Sequence, residues 1–133
     1  MNLRETYGKI LLPLVTPYGE NEEIDYGRYA ELIEYLIQND LCDSFIVTGT
    51  TGEASLCTFD ERVRLMETAV KTVAGRKPVI AGTGCASTKE TVALTRRAEA
   101  LGIDTMLVVC PFYNKPTQEG ISVSLYTSPS PRD

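Results

Sequence analysis

Ser44-Phe45-Ile46-Val47-Thr48 runs without interruption into Gly49-Thr50-Thr51-Gly52-Glu53. The first five residues read as a β-strand that ends at Gly49. The next five carry two glycines, which let the backbone turn tightly and approach a ligand closely. Successive N–H groups in such a turn can form a nest for a carboxylate, and the two neighbouring hydroxyls add donors and a proton relay. A tight, well-capped turn would use the same residues. The five residues alone leave both readings open. Ligands of open α/β sheets and of barrels bind at the carboxyl ends of strands.

Upstream, Ile10-Leu11-Leu12-Pro13-Leu14-Val15 lacks period-2 alternation, as expected of a strand buried on both faces. Pro13 is awkward in a central strand, so a bulge or strand start is expected near it. Tyr18 to Glu23 is a polar turn. A helix follows from Asp25, its N-cap, to Gln38, with Tyr26, Tyr29, Leu32, Ile33, Leu36 and Ile37 on one face.

Downstream, Thr58-Phe59-Asp60-Glu61 is a capping box that opens a helix with apolar positions Val63, Met66, Ala69, Val70 and Val73, stopping at Gly75. Pro78-Val79-Ile80-Ala81 is the third strand. A second capping box, Ser87-Thr88-Lys89-Glu90, opens a helix bearing Val92, Leu94, Ala98 and Leu101 and closing at Gly102. Thr105-Met106-Leu107-Val108-Val109 is the fourth strand, and Thr117-Gln118-Glu119-Gly120 starts a fourth helix.

Strand and helix alternate at the spacing of successive βα units. A doubly wound sheet and a (βα)8 barrel both fit, and periodicity alone favours neither. The stretch Ser122 to Asp133, with two prolines and four serines, shows no helical face. It reads as a non-native or disordered tail. The expected organisation is therefore a folded unit over 1–121 and a tail over 122–133.

The chain has 133 residues, enough for one domain and short of the roughly 250 of a complete barrel. With 43% hydrophobic and 23% charged residues it is expected to build a core. The net charge of −5 argues against nucleic acid and anionic membrane as partners. No apolar run reaches the roughly 18–20 residues of a membrane span, and the N-terminus lacks a signal-peptide core, so a cytoplasmic location is expected. Cys42, Cys57, Cys85 and Cys110 form no CxxC pair and read as free thiols. The chain contains no histidine, which removes Ser-His-Asp and Cys-His mechanisms and argues against a zinc site. Acid–base work must fall to Tyr, Lys, Asp, Glu or hydroxyl relays.

Two further segments sit at strand ends. Gly82-Thr83-Gly84-Cys85 resembles half of a dinucleotide fingerprint but lacks the later glycine and an immediate helix. Close backbone packing is the preferred reading, with a non-catalytic α/β phosphate-binding module that uses Gly82-Thr83-Gly84 as the alternative. In Cys110-Pro111-Phe112-Tyr113-Asn114-Lys115-Pro116, Tyr113 is suited to acid–base work on an imine or alkoxide. Lys115 is a weaker candidate for a Schiff-base amine, because a loop lysine there is more often solvated.

Four segments in order resemble the dihydrodipicolinate synthase / N-acetylneuraminate lyase family: Pro13-Leu14-Val15-Thr16-Pro17, Gly49-Thr50-Thr51-Gly52-Glu53, Val79-Ile80-Ala81-Gly82-Thr83-Gly84, and Pro111-Phe112-Tyr113-Asn114-Lys115-Pro116-Thr117-Gln118-Glu119-Gly120. The resemblance covers about residues 8–121. It implies about four βα units from the N-terminal part of a (βα)8 (TIM) barrel. It also implies a pyruvate-dependent class I (Schiff-base) lyase that condenses pyruvate with aspartate semialdehyde in lysine biosynthesis, without cofactor or metal. The family's alternatives are a 2-keto-3-deoxy sugar acid aldolase or an N-acetylneuraminate lyase.

By the same resemblance Thr50 and Tyr113 are catalytic, as members of a proton relay, and Thr50, Thr51 and Gly52 bind substrate. Tyr113 would cross a dimer interface, within a homodimer or homotetramer. The family's Schiff-base lysine and second relay tyrosine would lie beyond the end of this chain, so the chain alone is expected to be inactive. Many synthases of the family are inhibited by lysine. Of the side chains that hold it, only the glutamate persists here, as Glu90. Phe59, Arg62, Ala86 and Phe112 occupy the other positions, which implies insensitivity to lysine.

Overall fold

The computed structural model describes residues 2–112 and 116–127. Helix α1 (Leu3–Tyr7) leads into strand β1 (Leu11–Pro13). Helix α2 (Tyr26–Gln38), strand β2 (Ser44–Val47), helix α3 (Phe59–Val73), strand β3 (Val79–Gly82), helix α4 (Thr88–Ala100), strand β4 (Thr105–Leu107) and helix α5 (Gln118–Thr127) follow, with a 3-10 turn over Ala54–Leu56.

The four strands form one parallel sheet in the order β1-β2-β3-β4. This order resolves the choice the periodicity left open. A doubly wound sheet reverses its strand order, which puts helices on both faces. Here every crossover steps to the next strand in the same direction, and right-handed crossovers then place all the helices on one face. A parallel sheet that keeps stepping one way is the wall of a (βα)8 barrel, and the chain forms its N-terminal part.

The register shows which face is which. The rows Leu12–Phe45–Val79 and Val47–Ala81–Met106 belong to the hydrophobic core under the helices, with Tyr29, Ile33, Leu65, Met66 and Leu94. The alternate row Pro13–Ile46–Ile80–Thr105 turns to the other face. On β1 the expectation of burial on both faces fails. Leu11 is 39% exposed and Pro13 is exposed, because β1 is a sheet edge and no opposing strand covers its inner face among the described residues. That edge position is also why Pro13 is tolerated at the last residue of β1.

The helix caps follow the sequence. Asp25 accepts from Arg28 N, and Thr58 and Glu61 form the reciprocal capping box; at Ser87 the expected box is a single cap, Ser87 Oγ accepting from Glu90 N, while the Glu90 carboxylate turns to Ser87 Oγ. The cysteines are free. Among the described residues no helix is long and apolar enough to cross a membrane.

Two elements differ from the sequence reading. α1 carries no apolar periodicity of its own. It is held from outside, by buried Tyr7, whose hydroxyl bonds Thr105 Oγ1 and whose carbonyl accepts from Ser44 Oγ. Helix α5 runs through Thr127, so the boundary drawn after 121 falls inside a helix and 122–127 have helical backbone. At its start Thr117 Oγ1 accepts from Gly120 N.

Candidate active site at the strand carboxyl ends

Three glycines bring the ends of the strands unusually close. A Cβ on Gly82 would lie 2.3 Å from Thr48 O, one on Gly84 2.6 Å from Val109 N, and one on Gly52 2.8 Å from Leu14 O. Gly82 and Gly84 are thus spent on strand packing, as the sequence reading preferred. Thr83 between them is buried. Its N–H donates to Leu107 O, and its hydroxyl accepts from Thr95.

Thr48 leaves β2 with φ +53°, a left-handed conformation that is costly for a β-branched residue. Its buried hydroxyl donates to Gly82 O at 2.8 Å, which holds that conformation. The chain then enters the Gly49–Glu53 turn. Gly52 N donates to Gly49 O, Glu53 N to Thr50 O and Ala54 N to Gly49 O. Thr16, just beyond β1, donates from its hydroxyl to Gly52 O at 2.6 Å and ties the turn to the neighbouring strand end.

The turn borders a cavity of about 440 Å³ whose lining includes Thr48, Thr50, Ser55, Arg62, Gly84 and Phe112. Thr50 is exposed to it, and Thr51 is exposed beside Thr50. Gly52 is buried, with both its amide and its carbonyl engaged inside the scaffold, so its visible part is to shape the turn. Of the other sequence-derived candidates, Tyr113 and Lys115 lie outside the described residues, while Phe112 lines the cavity and Glu90 sits in the first turn of α4.

Arg62 was not anticipated as part of this site. It is only 7% exposed. It donates from Nη2 to Gly82 O at 2.8 Å and Gly84 O at 3.2 Å, and from Nη1 to Cys85 Sγ at 3.1 Å. Its Nε is buried without a partner. The signal was present in the spacing: residues 62, 66, 69 and 73 fall on one helical stripe, and Met66, Ala69 and Val73 are buried along it.

The profile of the dihydrodipicolinate synthetase family matches residues 6–126. The chain belongs to that family. It is 43% identical over 115 residues to the 4-hydroxy-tetrahydrodipicolinate synthase of Bacillus subtilis (strain 168), covering 86% of this chain and 39% of the relative. The enzyme of that name from Coxiella burnetii (strain RSA 493 / Nine Mile phase I) is 46% identical over 111 residues, covering 84% and 38%. Among solved structures, dihydrodipicolinate synthase from Aquifex aeolicus superposes with a TM-score of 0.85 at 45% identity, covering 90% of this chain and 40% of that one. N-acetylneuraminate lyase from Mycoplasma synoviae superposes with a TM-score of 0.84 at 25% identity, covering 91% and 42%. The chain spans about two-fifths of the length of these relatives.

Proposed function

We propose that this chain is the N-terminal part of a pyruvate-dependent class I lyase that condenses pyruvate with aspartate semialdehyde in lysine biosynthesis. The observation that carries the reading is the Gly49–Glu53 turn. It is anchored on both neighbouring strands and places Thr50 on the wall of a cavity at the strand carboxyl ends. Thr50 and Tyr113 act as proton-relay hydroxyls, and Thr50, Thr51 and Gly52 form the pyruvate pocket. The full-length protein supplies the Schiff-base lysine, works without cofactor or metal, is cytoplasmic, and assembles as a homodimer or homotetramer in which Tyr113 reaches the neighbouring site. A solved relative from Cyanidioschyzon merolae is a synthase with lysine bound. Here Arg62 brings a like charge to one of the positions that hold lysine at the family's dimer interface, which opposes an ammonium ligand.

The test is trapping with pyruvate and borohydride. A pyruvyl adduct is expected on the full-length enzyme and none on this chain alone. An adduct on Lys115 or any lysine of the isolated chain, or none on the full-length protein, overturns the assignment. The likeness to N-acetylneuraminate lyase favours a second reading within the family, a pyruvate aldolase with a sugar-derived aldehyde. Turnover of the full-length enzyme with aspartate semialdehyde against such aldehydes separates the two. The boundary after 121 stands as a proposal about the origin of residues 122–133, which the uninterrupted reading frame decides.

A further inference from the structure

We propose that Arg62 is a positioning residue of this site: it fixes the carboxyl end of β3, and through the shared Gly82 carbonyl it sets the turn that presents Thr50. The proposal rests on the pyruvate-lyase reading only for its kinetic arm.

The geometry carries it in three links. Arg62 reaches from the first turn of α3 and donates to Gly82 O and Gly84 O, two carbonyls of one strand end. Gly82 O is also the acceptor for Thr48 Oγ1, so one oxygen receives a guanidinium from α3 and a hydroxyl from β2. Thr48 in turn holds a left-handed backbone two residues before Thr50. Releasing the guanidinium frees the β3 carbonyls to rotate toward water, which weakens the acceptor that stabilises Thr48.

No carboxylate pairs with Arg62 among the described residues. A cation taken out of water needs compensation, and here it comes from aligned carbonyl dipoles. That commits the guanidinium fork to one orientation. Lysine can satisfy one or two of the same carbonyls but lacks the planar fork.

The experiment compares Arg62→Met and Arg62→Lys with wild type in the full-length enzyme. Three quantities are read: pyruvate KM and kcat, hydrogen exchange of the Gly52, Glu53 and Ala54 amides, and the urea midpoint. Expected for Arg62→Met is a loss in kcat/KM for pyruvate of roughly 10–100-fold, the order that follows from misplacing a catalytic group by a fraction of an ångström. The Gly52–Ala54 amides are expected to exchange faster, while those of α2 are unchanged, and Arg62→Lys should recover part of both effects. A lowered midpoint with unchanged kinetics and unchanged turn exchange makes Arg62 a structural clamp and overturns the proposal. If the wild-type protein shows no pyruvate chemistry, the lyase reading falls, and the exchange comparison still decides the positioning role. Should Arg62→Met fail to fold, Arg62→Lys alone decides, because full wild-type kinetics and exchange in it would show that the fork geometry is irrelevant.

Discussion

Consider Gly82 replaced by alanine. The added methyl would stand 2.3 Å from Thr48 O, 2.8 Å from Thr48 C and 3.0 Å from Gly49 N, all backbone atoms that no side-chain rotation can move aside. To bring the nearest contact to about 3.4 Å, the carboxyl ends of β2 and β3 must separate by about 1 Å. Overpacking of this kind costs about 1–3 kcal/mol. Separating the strands also stretches the 2.8 Å bond from Thr48 Oγ1 to Gly82 O, a further loss of about 1 kcal/mol. The expected destabilisation is therefore about 2–4 kcal/mol, a large share of an ordinary domain's stability.

The functional loss should exceed what stability explains. Thr50 follows Thr48 by two residues, and a 1 Å misplacement of catalytic geometry costs on the order of 100-fold in rate. Gly102→Ala is the control: unlike Gly82 it has a positive φ, and nothing lies within 4 Å of its Cβ position. It should cost only the left-handed backbone penalty, about 1–2 kcal/mol, and leave kcat/KM unchanged. Urea denaturation and pyruvate kinetics of both variants in the full-length enzyme make the comparison. A Gly82→Ala enzyme with wild-type midpoint and wild-type kcat/KM would refute the claim that strand-end packing sets the site.

Four further outcomes are expected. Thr50→Val and Tyr113→Phe should each lower kcat of the full-length enzyme by about 10²–10⁴-fold with the fold intact by circular dichroism, and unaltered kcat removes that residue from the relay. Thr58→Ala breaks the capping box of α3 and should lower stability by about 1 kcal/mol in urea titration. The hydrogen bonds from Arg76 hold the Glu34 carboxylate down at about 2, below its ordinary 4.5. This contribution is fully present above about pH 4.5 and is lost as pH falls toward 2, so Glu34→Gln should flatten the acid limb of a stability–pH curve. Lysine titration of the full-length enzyme at fixed substrates should show no half-inhibition below about 1 mM, the weak end of ordinary ligand affinities.

Much of the local architecture could be read in the residues. Asp25, Thr58 and Ser87 announced three helix starts because each cap is a local bond between a side chain and an amide two or three positions on. The apolar stripes of α2 and α3 declared their buried faces, and the strand-to-glycine junction at Gly49 marked where a ligand could approach. The direction in which the sheet steps was not legible, because periodicity records which face of an element is buried and not which neighbour covers it. The site was half legible. Thr50 stood out as a hydroxyl after a strand, but Arg62 was read only as a residue unsuited to a lysine-binding position. Its role depends on carbonyls 20 and 22 residues away, which only the packing of α3 against β3 brings within reach. The same holds for the Thr16 bond to Gly52 O and for α1. Local chemistry fixes caps and turns through bonds between near neighbours, whereas long-range polar bonds exist only once burial has excluded water and brought their partners together.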